Sequence, residues 1–533
     1  MIRRSFREIS TLALMTAMTA GAAMAQEALP DIEVGKPKHV QPSGKPKKPV
    51  VARVPAPALP VAAPPSPSVV VAAPQSEVER AEERFNATQE ASSETFTTGK
   101  EINAVPFSRP GEALETAVPG LMVTQHSGEG KANQYQLRGF QLDHGTDLAI
   151  TLDGMPLNMP THGHGQGYAD ANFLIPELFS YVVGKKGPYF ADEGDFSAAG
   201  AVHIQYKDDL PGGLFSATAG SFDYGRLLGI NSDKVAGGNL LSAVELGIYN
   251  GPWTVPDQMH KINGVLRWTE GTQENGFSVT AMAYANHWHA SNQIAERAVT
   301  EGVISLWGNL DPTDRGDTTR FSLSTRWSET DEKSHTRIEA YAIHTTLDLF
   351  NDFDYYLSQP QIEDQFRQFD RRTILGLNAE HGWKYDFLGL PVETRVGLSS
   401  RYDNIRVGLQ DTYQTMPYDT LTNDEVVEAN VGVWTDTTVK WAPWLRTTAG
   451  IRGDFFGPAL TTSSPPFRPR RPCPSGRWAR RQSGPDHGIP ATKAKRWIVP
   501  SSRSFWGRGR RPNSSSMRAR ASTPPTRAEP SRP

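Results

Sequence analysis

The chain has 533 residues and a mass of 58.5 kDa, enough for two or more domains. Its net charge of −3 argues neither for nor against nucleic-acid binding. A mean hydropathy of −0.48, with no internal apolar run of about eighteen residues, excludes a helical membrane protein but not a transmembrane β-barrel, whose strands alternate lipid-facing and lumen-facing residues.

The N-terminus reads as a secretory signal peptide over residues 1–25. Arg3, Arg4 and Arg7 form the positive region, Ile9 to Ala23 is small and apolar, and Ala23-Met24-Ala25 is a cleavage signal before Gln26. Residues 26–94 then form a leader. Pro30-Asp31-Ile32-Glu33-Val34 alternates acidic and apolar residues, so it can pair as one extended strand with a partner's sheet edge. Residues 36–76 are rich in Pro, Ala, Val and Lys, which favours a disordered, extended polyproline segment. At about 3.1 Å per residue, some forty residues reach on the order of 120 Å, the length of a semi-rigid spacer. Glu77–Gln89 is charged and predicts a short helix.

Residues 95–208 predict a small α/β domain. Pro110 to Glu115 starts a helix that Pro119-Gly120 ends. Leu121–Val123, Tyr135–Phe140 and Leu148–Leu152 read as strands, the last closed by the turn signal Asp153-Gly154. Ile175–Leu178 opens a second short helix, and Phe179–Lys185 and Ala201–Tyr206 are further strands.

From residue 209 to 458 the pattern becomes repeated alternation over about ten residues. Phe321, Leu323, Thr325 and Trp327 face one way, while Arg320, Ser322, Ser324, Arg326 and Ser328 face the other. Leu240, Val244, Leu246 and Ile248 line one face of another strand, and Leu445, Thr447, Ala449 and Ile451 a third. Similar runs occur at 213–223, 262–270, 276–289, 335–344, 373–383, 392–404 and 426–441. This is the signature of an antiparallel transmembrane β-barrel, with Trp253, Trp268, Trp288, Trp307, Trp327, Trp434, Trp441 and Trp444 expected in its interfacial girdles. A soluble β-sandwich also alternates, but on shorter strands.

Residues 459–533 break the pattern. Residues 461–533 hold 15 Arg and 13 Pro against two acids, Asp486 and Glu529, and no alternation survives. The expectation is a disordered basic tail, out of frame with what precedes it. The only cysteine, Cys473, lies there, so disulfides play no part in the main body. Residues 212–456 supply ten to twelve strands, so the barrel is expected to be incomplete, and an open sheet in lipid leaves edge donors and acceptors unsatisfied. The expected fold class is therefore mostly β: a small α/β domain, then an incomplete transmembrane β-barrel, between disordered termini.

Leu137-Arg138-Gly139-Phe140, Leu152-Asp153-Gly154-Met155-Pro156, Lys186-Gly187-Pro188, Gly194 and Ala199-Gly200-Ala201-Val202 stand in one ninety-residue window behind the signal peptide. In this order and spacing they resemble the plug domain of TonB-dependent outer-membrane receptors. The resemblance covers residues 95–456 and implies a place in the cell outer membrane, among its lipids. It implies energised uptake of a scarce solute, a ferric siderophore or other metal chelate, with the plug remodelled by the TonB-ExbB-ExbD complex through a TonB box at Pro30, Asp31, Ile32, Glu33 and Val34. It also implies that Arg109, Arg138, Asp153 and Glu177 tie the plug to the barrel wall. No cofactor and no catalytic residue follow from it, and closure in this family takes twenty-two strands, more than are present here.

Between the family landmarks lie Asp143-His144 and Thr161-His162-Gly163-His164-Gly165-Gln166-Gly167-Tyr168. Asp143, His144, His162, His164, Gln166 and Tyr168 are the candidate ligand-binding residues of a plug apex. Two histidines at i and i+2 lie on one side of an extended segment, so His162 and His164 are candidate ligands of one metal, with His144 and Asp143 beside them. The bland alternative is a structural loop whose histidines hydrogen-bond the backbone. A secreted metal-dependent β-rich enzyme, built on His162, His164 and Asp170, is the competing functional class. The chain lacks G-x-S-x-G, H-E-x-x-H and P-loop motifs.

Overall fold

The computed structural model describes residues 76–88, 92–352, 365–457 and 460–463, all within one unit spanning Ala73–Pro533. The expected signal peptide, the Pro30–Val34 box, most of the spacer and the tail beyond residue 463 lie outside the described residues.

Helix α1 (Glu77–Thr88) begins in a reciprocal cap, in which the Glu79 N–H donates to Ser76 Oγ at 3.2 Å and the Ser76 N–H to Glu79 Oε2 at 2.7 Å. A small domain follows, with short helices α2 (Gly99–Ile102) and α3 (Ala113–Ala117). Its strands are β1 (Ser93–Thr98), β2 (Leu121–Thr124), β3 (Gln134–Leu137), β4 (Phe140–Gln141), β5 (Leu148–Leu152), β6 (Met155–Pro156), β7 (Asn158–Met159), β8 (Tyr168–Ala169), β9 (Phe179–Lys186) and β10 (Gly200–Tyr206). The main sheet runs β1-β9-β10-β5-β6, with β10 and β5 parallel and the rest antiparallel. Leu148, Ile150, Leu152, Val182, Val202 and Ile204 alternate along it and bury one face against Ile102, Leu114 and Val118 of the helical side. The expected Tyr135–Phe140 strand is a hairpin instead. Arg138 (φ 53°) and Gly139 (φ 80°) are both left-handed, so the chain turns there and β4 folds back on β3.

The second half is one sheet of twelve strands. They are β11 (Leu214–Ala219), β12 (Gly225–Val235), β13 (Gly238–Tyr249), β14 (Met259–Gly271), β15 (Gly276–His289), β16 (Arg315–Thr330), β17 (Ser334–Asn351), β18 (Phe366–Phe387), β19 (Leu390–Tyr413), β20 (Met416–Ala442), β21 (Leu445–Phe456) and β22 (Leu460–Ser463). Strands β11 to β21 are ordered as in the sequence, and β22 pairs with β20. Helix α4 (Glu296–Thr300) sits in the loop between β15 and β16. The count lies within the expected ten to twelve. Strands β12 to β21 are longer than ten residues, reaching 22 in β18 and 27 in β20, whereas β11 has six and β22 four.

Polarity in this sheet is inverted relative to a soluble protein. Asn263, Arg267, Thr269, Arg320, Ser322, Ser324, Arg326 and Ser328 are buried toward the small domain. Ile262, Leu266, Phe321, Leu323 and Trp327 face outward. In water, burying the former and exposing the latter costs free energy twice, whereas hydrocarbon outside reverses both signs. Trp268, Trp327, Trp441 and Trp444 do face outward, at one end of the strands. Two tryptophans assigned to the girdles face inward instead. Trp288 is fully buried against Gly128, Gly130 and Gly316, and Trp434 stacks under Arg395. Trp383, not assigned, is on the outer face.

Connections at one end are short, at 236–237, 272–275, 331–333, 388–389 and 443–444. At the other end lie 220–224, 250–258 and 290–314, the fourteen-residue connection from β17 to β18, and one short turn at 414–415. In a barrel this asymmetry separates periplasmic turns from extracellular loops. Among the described residues β11 and β21 each pair on one side only, so the sheet is an open trough around the small domain.

Candidate functional site

Two sets of contacts join the small domain to the trough. The first is buried and ionic. Asp153 has φ 48°, a turn conformation that Gly154 (φ 76°) continues, and this aims its carboxylate at the wall. Asp153 Oδ2 accepts from Arg267 Nη1 at 2.7 Å, and its other oxygen accepts from Gln205 Nε2 at 2.5 Å and the Tyr206 N–H at 3.1 Å. Arg267 also pairs with Asp208 at 2.5 Å, and Asp208 accepts from Arg326 at 3.3 Å. Nearby, Glu177 takes a two-pronged contact from Arg226 at 2.6 and 3.0 Å. The other two expected wall contacts are placed differently. Arg109 pairs with Glu129 and Glu112 inside its own domain. Arg138 is exposed at the β3–β4 turn and makes no ion pair with the wall among the described residues. Sequence spacing marks a charged residue but not which way a two-residue turn points it.

The second set lies at the long-loop end. The backbone of residues 158–161 is held by wall arginines: Arg401 Nη1 donates to Asn158 O at 2.7 Å, and Arg372 to Pro160 O at 2.7 Å and Thr161 O at 3.2 Å. The Thr161 hydroxyl donates to Glu428. The segment is bent rather than extended, with Thr161 at φ 47° and Gly167 at φ 79°, and the Thr161 N–H donates to Gln166 Oε1 at 2.8 Å to close the loop.

That bend separates the two histidines expected to act together. The His162 ring stacks on Tyr168 at 4.0 Å and 9°. Its Nδ1 accepts the His164 N–H at 3.2 Å, so that nitrogen's lone pair is used, and Nε2 faces Asp370 at 3.9 Å. His164 turns the other way, with Nε2 3.1 Å from His144 Nε2 and Nδ1 2.7 Å from Gln368 Oε1 on β18. His144 is anchored through Nδ1 to Asn133 O at 2.9 Å. Asp143 Oδ1 lies 3.7 Å from His144 Nε2, and the Tyr168 hydroxyl accepts the Ala132 N–H at 2.9 Å. Thus His144 and His164 come together with Asp143 beside them, while His162 and Tyr168 form a structural stack. Among the described residues no three His, Cys, Asp or Glu side chains surround one metal position.

Two members of this cluster escaped the sequence reading. His126 stacks on His144 at 5.3 Å, and Lys131 Nζ lies 3.5 Å from His126 Nε2. Neither carries a motif; they arrive through the loop between β2 and β3. The imidazoles of the cluster are kept neutral. Burial first, then the nearby Lys131 charge, lowers His126 and His144 to about 4 and His164 to about 2, and burial lowers His162 to about 3. Burial also brings Lys131 down to about 7.

Residues 86–201 match the family of TonB-dependent receptor plug domains. The fold is similar to that of the copper transporter OprC, with a TM-score of 0.52 and 18% identity over 69% of this chain and 55% of that one. It is similar to the ferric citrate transporter FecA in its unliganded form, with a TM-score of 0.58 and 12% identity over 71% and 60%. It is also similar to the ferric yersiniabactin uptake receptor FyuA from Yersinia pestis, with a TM-score of 0.53 and 15% identity over 70% and 60%. The match spans between 55% and 60% of the length of these three structures.

Proposed function

We propose that this chain, a TonB-dependent receptor by its plug domain and by the fold of the sheet around it, takes up a scarce metal chelate, such as a ferric siderophore, across the cell outer membrane. The observation that carries the reading is the plug seated in a trough whose lumen face is polar and whose outer face is apolar. A protein built this way presents the plug apex to the outside and the N-terminal segment to the periplasm. Helix α1 supports that polarity, because it docks on the short-turn end: the Gln273 N–H donates to Glu77 Oε1 at 2.9 Å, and Arg80 pairs with Glu274 at 3.1 Å. The function is transport and not covalent chemistry, which sets aside the secreted metal-dependent enzyme.

In this reading Pro30–Val34 is the TonB box, and the TonB-ExbB-ExbD complex supplies the energy through it. The cargo meets the plug apex around Asp143, His144, His164 and Gln166. Two of the similar structures are named for ferric chelates and one for copper, which supports a metal-bearing cargo.

The test is uptake of radiolabelled metal chelates by a Gram-negative host relying on this chain, with and without TonB and with residues 30–34 deleted. The chain should fractionate with outer membranes, and uptake should vanish in both deficient strains. Uptake that persists without TonB, or a chain found only in the soluble periplasmic fraction, would overturn the reading. Because the described sheet is open, the same fractions should be checked for heat-modifiable migration, which reports a sealed barrel.

A further inference from the structure

We infer that His144 and His164 form a two-imidazole site for a first-row divalent metal that arrives with two adjacent exchangeable coordination positions. The inference rests on the metal-chelate reading above and narrows its substrate class. It selects an incompletely wrapped complex and disfavours a ferric ion saturated by six chelator oxygens.

Asn133 O can only accept, so His144 Nδ1 carries the proton and its Nε2 holds a lone pair. His164 Nδ1 faces Gln368 Oε1 at 2.7 Å, which gives His164 the same tautomer and a second lone pair on Nε2. In that tautomer the two Nε2 atoms, each with a lone pair, stand 3.1 Å apart. Turning the Gln368 amide over lets it donate to His164 Nδ1 and moves the His164 proton to Nε2, which converts the pair into a hydrogen bond. In both arrangements His144 Nε2 keeps its lone pair, and turning the amide back returns the His164 proton to Nδ1 and frees the second lone pair.

The spacing suits a metal edge. Nitrogens about 2.0–2.1 Å from one metal and at a tetrahedral angle stand roughly 3.3 Å apart. The observed 3.1 Å is that distance within a small rotation of His164, which is half-buried and seated in a glycine-rich loop. Imidazole donors favour copper, nickel and zinc over the harder cations. Asp143 Oδ1, 3.7 Å from His144 Nε2 on a half-exposed side chain, adds a negative charge at the mouth. Since no third His, Cys, Asp or Glu completes a cage among the described residues, the remaining positions must be filled by ligands the metal brings with it. His162 is excluded from the pair because its Nδ1 is occupied by the His164 N–H.

The experiment uses the full chain in detergent with Cu(II)–iminodiacetate as probe, followed by copper EPR and electron spin-echo modulation, which counts coordinated imidazoles through their remote nitrogens. The wild type should bind with a two-imidazole signature. His164→Gln should weaken binding roughly tenfold or more and lose that signature, and His162→Gln should leave both unchanged. A ferric complex of a hexadentate trihydroxamate should produce no such dependence on His164. The inference is overturned if the wild type fails to bind the copper probe, binds it through fewer than two imidazoles, or loses as much with His162→Gln as with His164→Gln. His164 is half-buried, so its replacement tests the site without emptying the core around His144. Binding here needs neither TonB nor a membrane, so failure of TonB-dependent uptake counts against the receptor reading alone.

Discussion

Replacing Asp153 with Ala removes the plug's most buried hold on the wall. Three contacts disappear at once: Arg267 Nη1 at 2.7 Å, Gln205 Nε2 at 2.5 Å and the Tyr206 N–H at 3.1 Å. Arg267 has a side-chain exposure of 1% and stays in place, and Asp208 is left to balance both Arg267 and Arg326. Removing one partner of a buried pair typically costs about 3–5 kcal/mol, because the other charge stays desolvated. At about 1.4 kcal/mol per decade, local opening should become more populated by roughly two to three and a half decades. Hydrogen exchange of the β5 and β10 amides, measured on the full chain in detergent, reads that change directly. The control is Glu177→Ala. Its pair with Arg226 has side-chain exposures of 20% and 15%, and Arg226 keeps Glu245, so about 1 kcal/mol and a several-fold change are expected. Arg267→Met separates wall attachment from damage within the plug and should match Asp153→Ala. The reasoning fails if exchange in β5 and β10 rises no more with Asp153→Ala than with Glu177→Ala.

Other consequences follow from the same coordinates. A Cβ on Gly99 would lie 1.7 Å from the Phe179 carbonyl oxygen, a backbone atom that cannot move aside, so Gly99→Ala should destabilise the α2–β9 contact by about 1–3 kcal/mol. Faster tryptic cleavage at Lys100 would report it, and an unchanged rate would count against it. The apex histidines are neutral in the folded state with lowered values, so the unfolded state takes protons first on acidification. Stability of residues 126–168 is therefore full above about pH 6.5 and falls toward pH 4, while the lowered Lys131 makes it rise from about pH 7 toward 10. Fluorescence of Trp288, packed on Gly128 and Gly130, should follow both limbs; loosening on the alkaline side would contradict the sign. Glu274→Ala should free α1 by only about 1 kcal/mol, since Arg80 and Arg84 are 30% and 47% exposed. Proteolysis at those arginines should rise a few-fold while exchange within the plug sheet stays constant.

Much of this was legible because period two is a strong signal over long strands. The alternation of Arg320 to Ser328 named both faces of β16 correctly, and Leu148–Leu152 was read to its ends. Short elements were not legible. Strands β6, β7 and β8 are two residues each, too few for a pattern, and β1 has a burial pattern without alternation. Register and inwardness of single tryptophans were also hidden. Trp288 points inward because Gly128, Gly130 and Gly316 leave room for its ring, a fact spread over segments that meet only in three dimensions. At the apex, residue types were readable but partnership was not. H-x-H predicts a shared face only in extended backbone, and the left-handed Thr161 breaks that condition. The pairing of His164 with His144 depends on a contact twenty residues back along the chain.

The plug is not held evenly around its circumference, and this bears on where a cargo passes. Its apolar core is continuous with the wall toward β12–β15, through Leu228, Ile230, Leu241, Ala243, Val265, Met282 and Tyr284, and reaches β17 and β18 only through Tyr341, Ile343 and Ile374. At about 25 cal/mol per Å² of apolar surface, separating such a face costs several kcal/mol for a few hundred Å². Over much of the side toward β17–β21 the plug sheet faces a cavity of about 550 Å³, lined by Lys185, His203, Arg337, Glu380, Arg395 and Arg452 among others. The side chains lining that gap are largely polar or charged, so separation there exposes less apolar surface and costs less. The apex pair sits above this side, since His164 is held by Gln368 of β18. A pull entering at the short-turn end reaches α1 first, then β1, an edge strand with β9 as its one neighbour. Yielding of the β1 edge exposes β9 next, the strand that carries Lys185 at the cavity's rim. The sequence of weakest contacts therefore runs from the N-terminal segment, along β1 and β9, to the cavity under the histidines, while the apolar seam on β12–β15 stays closed.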